Sequence, residues 1–184
     1  EAAAQLDAGE IDALPTEPVY GLAAEAFTAD AVAKVFAAKE RPSFDPLIVH
    51  IASFKELADV AEVPEDILDT VKSIAGAFWP GPLTFVLPKS AKVPDLVTSG
   101  LPTVAVRQSG HVIFRAIGRA LGRPIAAPSA NRFGRISPTS AGAVMKELGG
   151  RIPLIIDGGA CREGIESTII AVEARGDQRP LIRI

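Results

Sequence analysis

The chain has 184 residues, 48% of them hydrophobic and 22% charged, which suits one folded domain with a sizeable core and excludes a disordered chain. Nineteen Lys and Arg against 22 Asp and Glu give a formal net charge of −3, which disfavours a protein built to coat nucleic acid but leaves room for a local basic cleft and weak RNA contact. The single cysteine, Cys161, excludes an intramolecular disulfide and a thiolate zinc cage, and reads as an inert, small hydrophobic residue.

Glu1 to Ala8 reads as the end of a short helix, and Ile11 to Leu14 as a strand stopped by Pro15. Thr28 to Lys39 places Val32, Val35, Phe36 and Lys39 at helical spacing, with Pro42 beyond its end. Leu47 to Ile51 is a short apolar strand. Ser53, with Glu56 three residues on, predicts a capped helix. Pro64 starts another helix with Ile67, Val71, Ile74 and Phe78 on one stripe. Trp79-Pro80-Gly81-Pro82 must turn, and Trp79 reads as an anchor. Leu83 to Leu87 and Thr103 to Arg107 follow as strands, then a helix from His111 to Leu121 capped by Gly122. Pro124 to Ala127 is a strand, and Thr139 or Ser140 opens a helix to Leu148. Ile152 to Ile156, Thr168 to Val172 and Leu181 to Ile184 are the last strands. Strands interleaved with helices indicate a single α/β domain over residues 1–184. Some neighbouring strands have no helix between them, so the sheet is expected to be mixed and flanked by helices. No apolar run is long enough to span a bilayer and the first residues show no signal-peptide pattern, so the expected compartment is the cytosol, with no membrane partner.

Polar residues gather at the ends of these elements: Pro15 to Gly21, Lys39-Glu40-Arg41 with Asp45 and His50, Arg107, Ser129 to Ser137, and Gly164 to Thr168. Ligands of α/β domains usually bind beyond strand ends, where such loops converge. Their shared chemistry is anion binding. Lys39 and Arg41 are two cations two residues apart, expected to face the same way if the chain is extended there. Ser129, Asn131 and Ser137 add neutral donors, and the helix opening at Thr139 or Ser140 would add free amides if aimed at the same space. No spacing matches a metal cage, a nucleophile elbow or a Gly-Lys-Ser/Thr phosphate loop. The residues alone therefore specify an anion- or nucleotide-binding crevice.

The blocks "PTEPVYGL", "KERPSFDPLIVHI", "WPGPLTFVL", "TVAVR", "APSANRFGRISPT" and "GIESTII", in this order, resemble the YrdC/TsaC family, the L-threonylcarbamoyladenylate synthases. The resemblance runs from about residue 10 to the end, and the length resembles the family's short form. It implies a twisted mixed sheet with a concave basic cavity. It also implies a reaction: L-threonine, bicarbonate and ATP, with Mg²⁺ carried on the nucleotide, give threonylcarbamoyl-AMP and pyrophosphate. Downstream tRNA threonylcarbamoyl transferase proteins then modify the adenosine beside the anticodon.

By the same resemblance, Lys39, Arg41, Ser129 and Asn131 form the catalytic phosphate-binding set. Asp45, Thr103, Ser137 and Arg183 are further ATP-side positions. Pro18, His50, Arg107, Ala127 and Ser167 are threonine-side positions, with Arg107 as the carboxylate clamp. The chain departs from the pattern at Pro18, where many members carry Thr, at Ala23 and Ala24, where Gly is frequent, and at Phe133, where Ser is common. Two other readings stand beside the synthase: a carbamoyltransferase-type domain making carbamoyl-AMP, and a non-catalytic double-stranded-RNA or ribosome-binding module. The acidic balance and the single tyrosine disfavour the latter.

Overall fold

The computed structural model describes residues 1–175 and 178–184. In chain order the elements are α1 (Ala2–Asp7), β1 (Asp12–Leu14), β2 (Gly21–Glu25), α2 (Ala29–Lys39), β3 (Ile48–His50), α3 (Leu57–Val60), α4 (Glu65–Phe78) and β4 (Leu83–Pro88). They continue with α5 (Asp95–Thr98), β5 (Thr103–Arg107), α6 (Val112–Leu121), β6 (Ile125–Ala126), α7 (Ala141–Leu148), β7 (Leu154–Ile155), β8 (Thr168–Arg175) and β9 (Gln178–Arg183). Among the described residues the strands form one nine-stranded sheet in the order β7-β1-β2-β6-β3-β5-β4-β8-β9. Three pairings are parallel (β1 with β7, β3 with β5, β4 with β8) and the others antiparallel, so the sheet is mixed, as expected.

The strand β2 carries no polar alternation because helices cover both of its faces. Leu22 and Ala24 lie in the larger core with Val32, Val35 and Phe36 of α2. Ala23, between them, lies in a second core with Leu6 of α1 and Phe114 of α6. Small side chains let helices close on both sides, and they erase the period-two signal that sequence reading depends on.

Several expectations change in detail. The segment opening at Ser53 forms a 3₁₀ turn, Phe54–Glu56, before the single turn of α3. The Glu56 carboxylate reaches back to the Ala52 amide at 2.9 Å, one residue upstream of a capping box. On α4, Ile67, Val71 and Ala75 are buried, whereas Phe78 is 60% exposed and Trp79 goes into the core instead. The Trp79 indole stands edge-on to Phe85 at 5.0 Å and donates to the Leu83 carbonyl at 2.6 Å. α6 starts one residue later than expected and ends on left-handed Gly122.

Candidate functional site

The parallel pair β3 and β5 sets His50 opposite Arg107, and β4 sets Thr84 on the other flank of Arg107. The carboxyl ends of β3 and β5 therefore point at one place. The loops after β1, β6 and β7 arch over it, tied together by the Tyr20 amide to the Pro138 carbonyl (2.8 Å), the Ala130 amide to the Tyr20 carbonyl (2.7 Å) and the Gly164 amide to the Pro18 carbonyl (3.1 Å).

Two adjoining cavities result. The first is narrow, about 30 Å³, and is lined by Thr16, Pro18, His50, Arg107, Ala127, Ser129 and Glu166. The second, about 430 Å³, is lined by Arg41, Asp45, Ala105, Ser129, Glu166 and Ser167 among others. Ser129 and Glu166 border both. The larger volume falls within the usual range for ligand pockets. The narrow one has room for a carboxylate group rather than a whole amino acid.

Arg107 is buried, 4% exposed. Its Nη2 donates to Thr16 Oγ1 at 3.3 Å, its Nε has no partner, and no carboxylate among the described residues pairs with it. Burial pulls its pKa down, with Glu17, Glu166 and Glu163 acting the other way. A buried guanidinium with unused donors is an anion receptor. His50 packs against Phe114 at 4.8 Å and donates from Nε2 to the Ala127 carbonyl at 3.3 Å. Since a carbonyl only accepts, Nε2 holds the proton and Nδ1, which has no partner, is left as an acceptor. Burial first, and then the Arg107 charge, push the His50 pKa well below its ordinary value, so the ring is neutral. Ser167 is fixed by a 2.8 Å hydrogen bond with Thr84.

Lys39 ends α2, and the next residue, Glu40, takes a left-handed conformation at φ 52°. The Glu40 and Arg41 amides close back on the Ala37 and Phe36 carbonyls, a Schellman-type end. The chain is left-handed rather than extended at Glu40, and Arg41 follows near enough for its charge to act on Lys39. Lys39 is 1% exposed and its Nζ donates to the carbonyls of Ser129 and Asn131. Burial and the neighbouring Arg41 charge bring its pKa down to about 7. Arg41 pairs with Asp45 at 2.8 Å and donates to the carbonyls of Asp45 and Pro46. Asn131 Nδ2 holds the carbonyls of Arg132 and Arg135, both at 2.8 Å, while its buried Oδ1 has no partner.

Four site expectations place differently. Ser137 donates to Glu166 at 2.5 Å rather than standing free. Thr103 shares a face of β5 with Ala105 and Arg107 but lines neither cavity. Arg183 is not brought into the group: it lies on the edge strand β9, 64% exposed, paired with Glu173 at 3.0 Å. The N-terminus of α7 borders neither cavity, and Ser140 caps its Ala143 amide at 3.2 Å. The structure adds Thr16 and Glu166, whose positions depend on contacts far apart in the chain. A third cavity, about 610 Å³, lies behind Thr16 and is lined by Glu17, His111 and Cys161. None of the expected site residues borders it. Cys161 donates to the Thr16 carbonyl at 3.3 Å and burial raises its thiol pKa, in keeping with an inert thiol.

The Sua5/YciO/YrdC family model, described as "Telomere recombination", matches residues 4–184. The chain belongs to this family. It is 52% identical over 163 residues to the threonylcarbamoyl-AMP synthase of Pyrococcus abyssi, covering 88% of this chain and 47% of that protein. It is 48% identical over 173 residues to the threonylcarbamoyl-AMP synthase of Bacillus subtilis, covering 93% and 49%. The crystal structure of P. abyssi Sua5 complexed with L-threonine superposes with a TM-score of 0.89 at 50% identity, covering 92% of this chain and 48–49% of the solved Sua5 chains. The chain thus spans about half the length of these relatives.

The geometry of Arg107 sets a first prediction. If Arg107 holds the threonine carboxylate, as the sequence resemblance implies, Arg107→Ala should weaken threonine binding on the order of 10²-fold, the scale expected for loss of a buried charged partner. ATP binding should change little. Calorimetry with each ligand separately checks this, and an ATP loss exceeding the threonine loss would refute the assignment.

Proposed function

We propose that this Sua5/YciO/YrdC domain makes threonylcarbamoyl-AMP and pyrophosphate from L-threonine, bicarbonate and ATP, in the cytosol, for transfer to tRNA by a partner threonylcarbamoyl transferase, and that residues 1–184 form the catalytic unit. The observation that carries this reading is the pair of adjoining cavities. One ends on the buried, unanswered Arg107; the other is bordered by Arg41 and Ser129, with Lys39 directly behind Ser129. The relatives named threonylcarbamoyl-AMP synthase and the threonine complex of P. abyssi Sua5 support it.

The threonine carboxylate would lie on Arg107, with the neutral His50 ring accepting from the amino acid through Nδ1. Ala127 and Pro18 shape the wall there. Pro18 offers neither a hydroxyl nor an amide hydrogen, so recognition of the threonine side chain falls to other groups. Lys39, Arg41, Ser129 and Asn131 would hold the triphosphate. Ser137 and Asp45 would join that set once their present partners, Glu166 and Arg41, give way.

The threonine amine condenses with bicarbonate to a carbamate, whose oxygen attacks the α-phosphorus as pyrophosphate leaves. Two anions must meet, so catalysis rests on fixed cations and donors that hold them in line and stabilise the charge gathering on phosphorus. Magnesium would enter on the ATP phosphates and neutralise the departing pyrophosphate.

A pyrophosphate-release assay with each substrate omitted in turn tests the reading. Release should require threonine, bicarbonate and ATP together. Equal turnover with carbamoyl phosphate and ATP alone would favour the carbamoyltransferase alternative. RNA binding that ATP and threonine leave unchanged, without pyrophosphate release, would favour the binding module.

A further inference from the structure

The proposed reaction contains a proton problem. Threonine enters as an ammonium ion, and an ammonium nitrogen has no lone pair with which to attack carbon. Something at the junction of the two cavities must take that proton. The amine has to sit between Arg107, which holds the carboxylate, and the phosphate set around Ser129. Ile48, Pro128, Ser129 and Glu166 border both spaces, and of these only Glu166 carries a basic side chain.

The other groups nearby are poor candidates. His50 is buried beside Arg107, and both circumstances oppose its protonation. Asp45 is committed to Arg41 at 2.8 Å and does not border the amino-acid cavity. The Tyr20 hydroxyl is used by the Gly158 amide and the Gly159 carbonyl. Glu17 and Glu163 line the separate cavity behind Thr16. Glu166 is solvent-exposed, so a proton it accepts has a path to bulk water. Its charge reaches both halves of the site, acting on Lys39 and on Arg107 alike. Its hydrogen bond from Ser137 holds the carboxylate at the mouth through a hydroxyl that the phosphates are proposed to claim.

We propose that Glu166 is a further catalytic residue: it binds the threonine ammonium and, as general base, frees the amine that attacks bicarbonate. This rests on the synthase reading above. In the step, the Glu166 carboxylate takes one proton from the ammonium, giving a neutral carboxylic acid and a neutral amine. The amine lone pair forms the N–C bond to bicarbonate, and the carbamate anion and one water molecule result. Glu166 then returns its proton to solvent.

The test is the pH profile of pyrophosphate release at saturating threonine, bicarbonate and ATP, for wild type, Glu166→Gln and Glu166→Asp. At pH 7, Glu166→Gln should lower kcat on the order of 10²-fold, the usual scale for loss of a general base. The deficit should shrink roughly tenfold per pH unit as solvent supplies the free amine, and Glu166→Asp should recover part of the rate. A wild-type rate in Glu166→Gln, or a deficit of the same size at every pH, would overturn the base assignment while leaving the synthase reading intact. No release by the wild-type protein would remove the synthase reading and the base with it.

Discussion

Replacing Lys39 by alanine is expected to lower kcat/KM for ATP by about 10²–10³, the range found when a preorganised donor to a developing anion is removed. Lys39 has two tasks. Its ammonium supplies charge beside the proposed phosphate position, and the same ammonium ties the carbonyls of Ser129 and Asn131 to the end of α2. Losing it removes the charge and frees the turn that carries two of the other proposed ligands.

The lowered pKa of Lys39 makes a separate, signed prediction. With a value of about 7 in the free protein, most of this side chain is neutral at pH 8. Phosphates beside it favour the charged form, so ATP binding at pH 8 should draw in up to about one proton, falling toward none at pH 6. Calorimetry in two buffers of different ionisation enthalpy reads this directly, and Lys39→Ala should abolish it. No proton uptake in the wild type at pH 8 would mean that the amine is already charged there. The stability linkage has the matching sign. Between pH 7 and 10.5 the unfolded chain holds more protons at this residue than the folded one, so its contribution to stability rises with pH across that window.

How much of this was legible beforehand depended on the range of the interactions. Helices with one buried face, such as α2 and α6, declared themselves through spacing and caps. β2 did not, because α2 on one side and α1 with α6 on the other bury both of its faces. The anion-binding chemistry proposed for Lys39, Arg41, Ser129 and Asn131 rests on residue type, but the means of bringing them together could not be read that way. It is a left-handed turn at Glu40, a residue with no glycine-like signal, combined with a lysine reaching across to the Ser129 turn. Arg183 fails to join because strand order in a sheet is a long-range property; β8 and β4 separate β9 from the β5 end that carries Arg107. Glu166 stood in a quoted motif, yet its place at the seam follows from which loops pack together and not from its neighbours in the chain.

Asp12 carries the largest expected effect on stability. It is fully buried in β1, paired through its backbone with Ala23 and Leu154, and neither carboxylate oxygen has a partner among the described residues. Burial first, then the charges of Glu10 and Glu1, push its pKa up to about 7 from 3.8. Between those values the folded state holds the proton more tightly than the unfolded state. The stability is therefore full below about pH 4, falls as the pH rises, and levels off above pH 7 after a loss on the order of 4 kcal/mol. Asp12→Asn removes the charge but keeps a buried polar group that still lacks a partner, which costs about 1–3 kcal/mol. The expected net gain at pH 8 is on the order of 2 kcal/mol, or roughly 4–8 °C in Tm for a chain of this size. At pH 4 the wild-type carboxyl is neutral too, so the gain should give way to a loss of about 1–3 kcal/mol, the cost of the unpartnered amide alone. Melting curves across pH 4–8 for the two proteins decide it. Parallel curves would show that the Asp12 carboxylate is solvated or paired in the folded protein, and equal activity in both would confirm that the residue acts on the fold and not on the site at the far ends of β3 and β5.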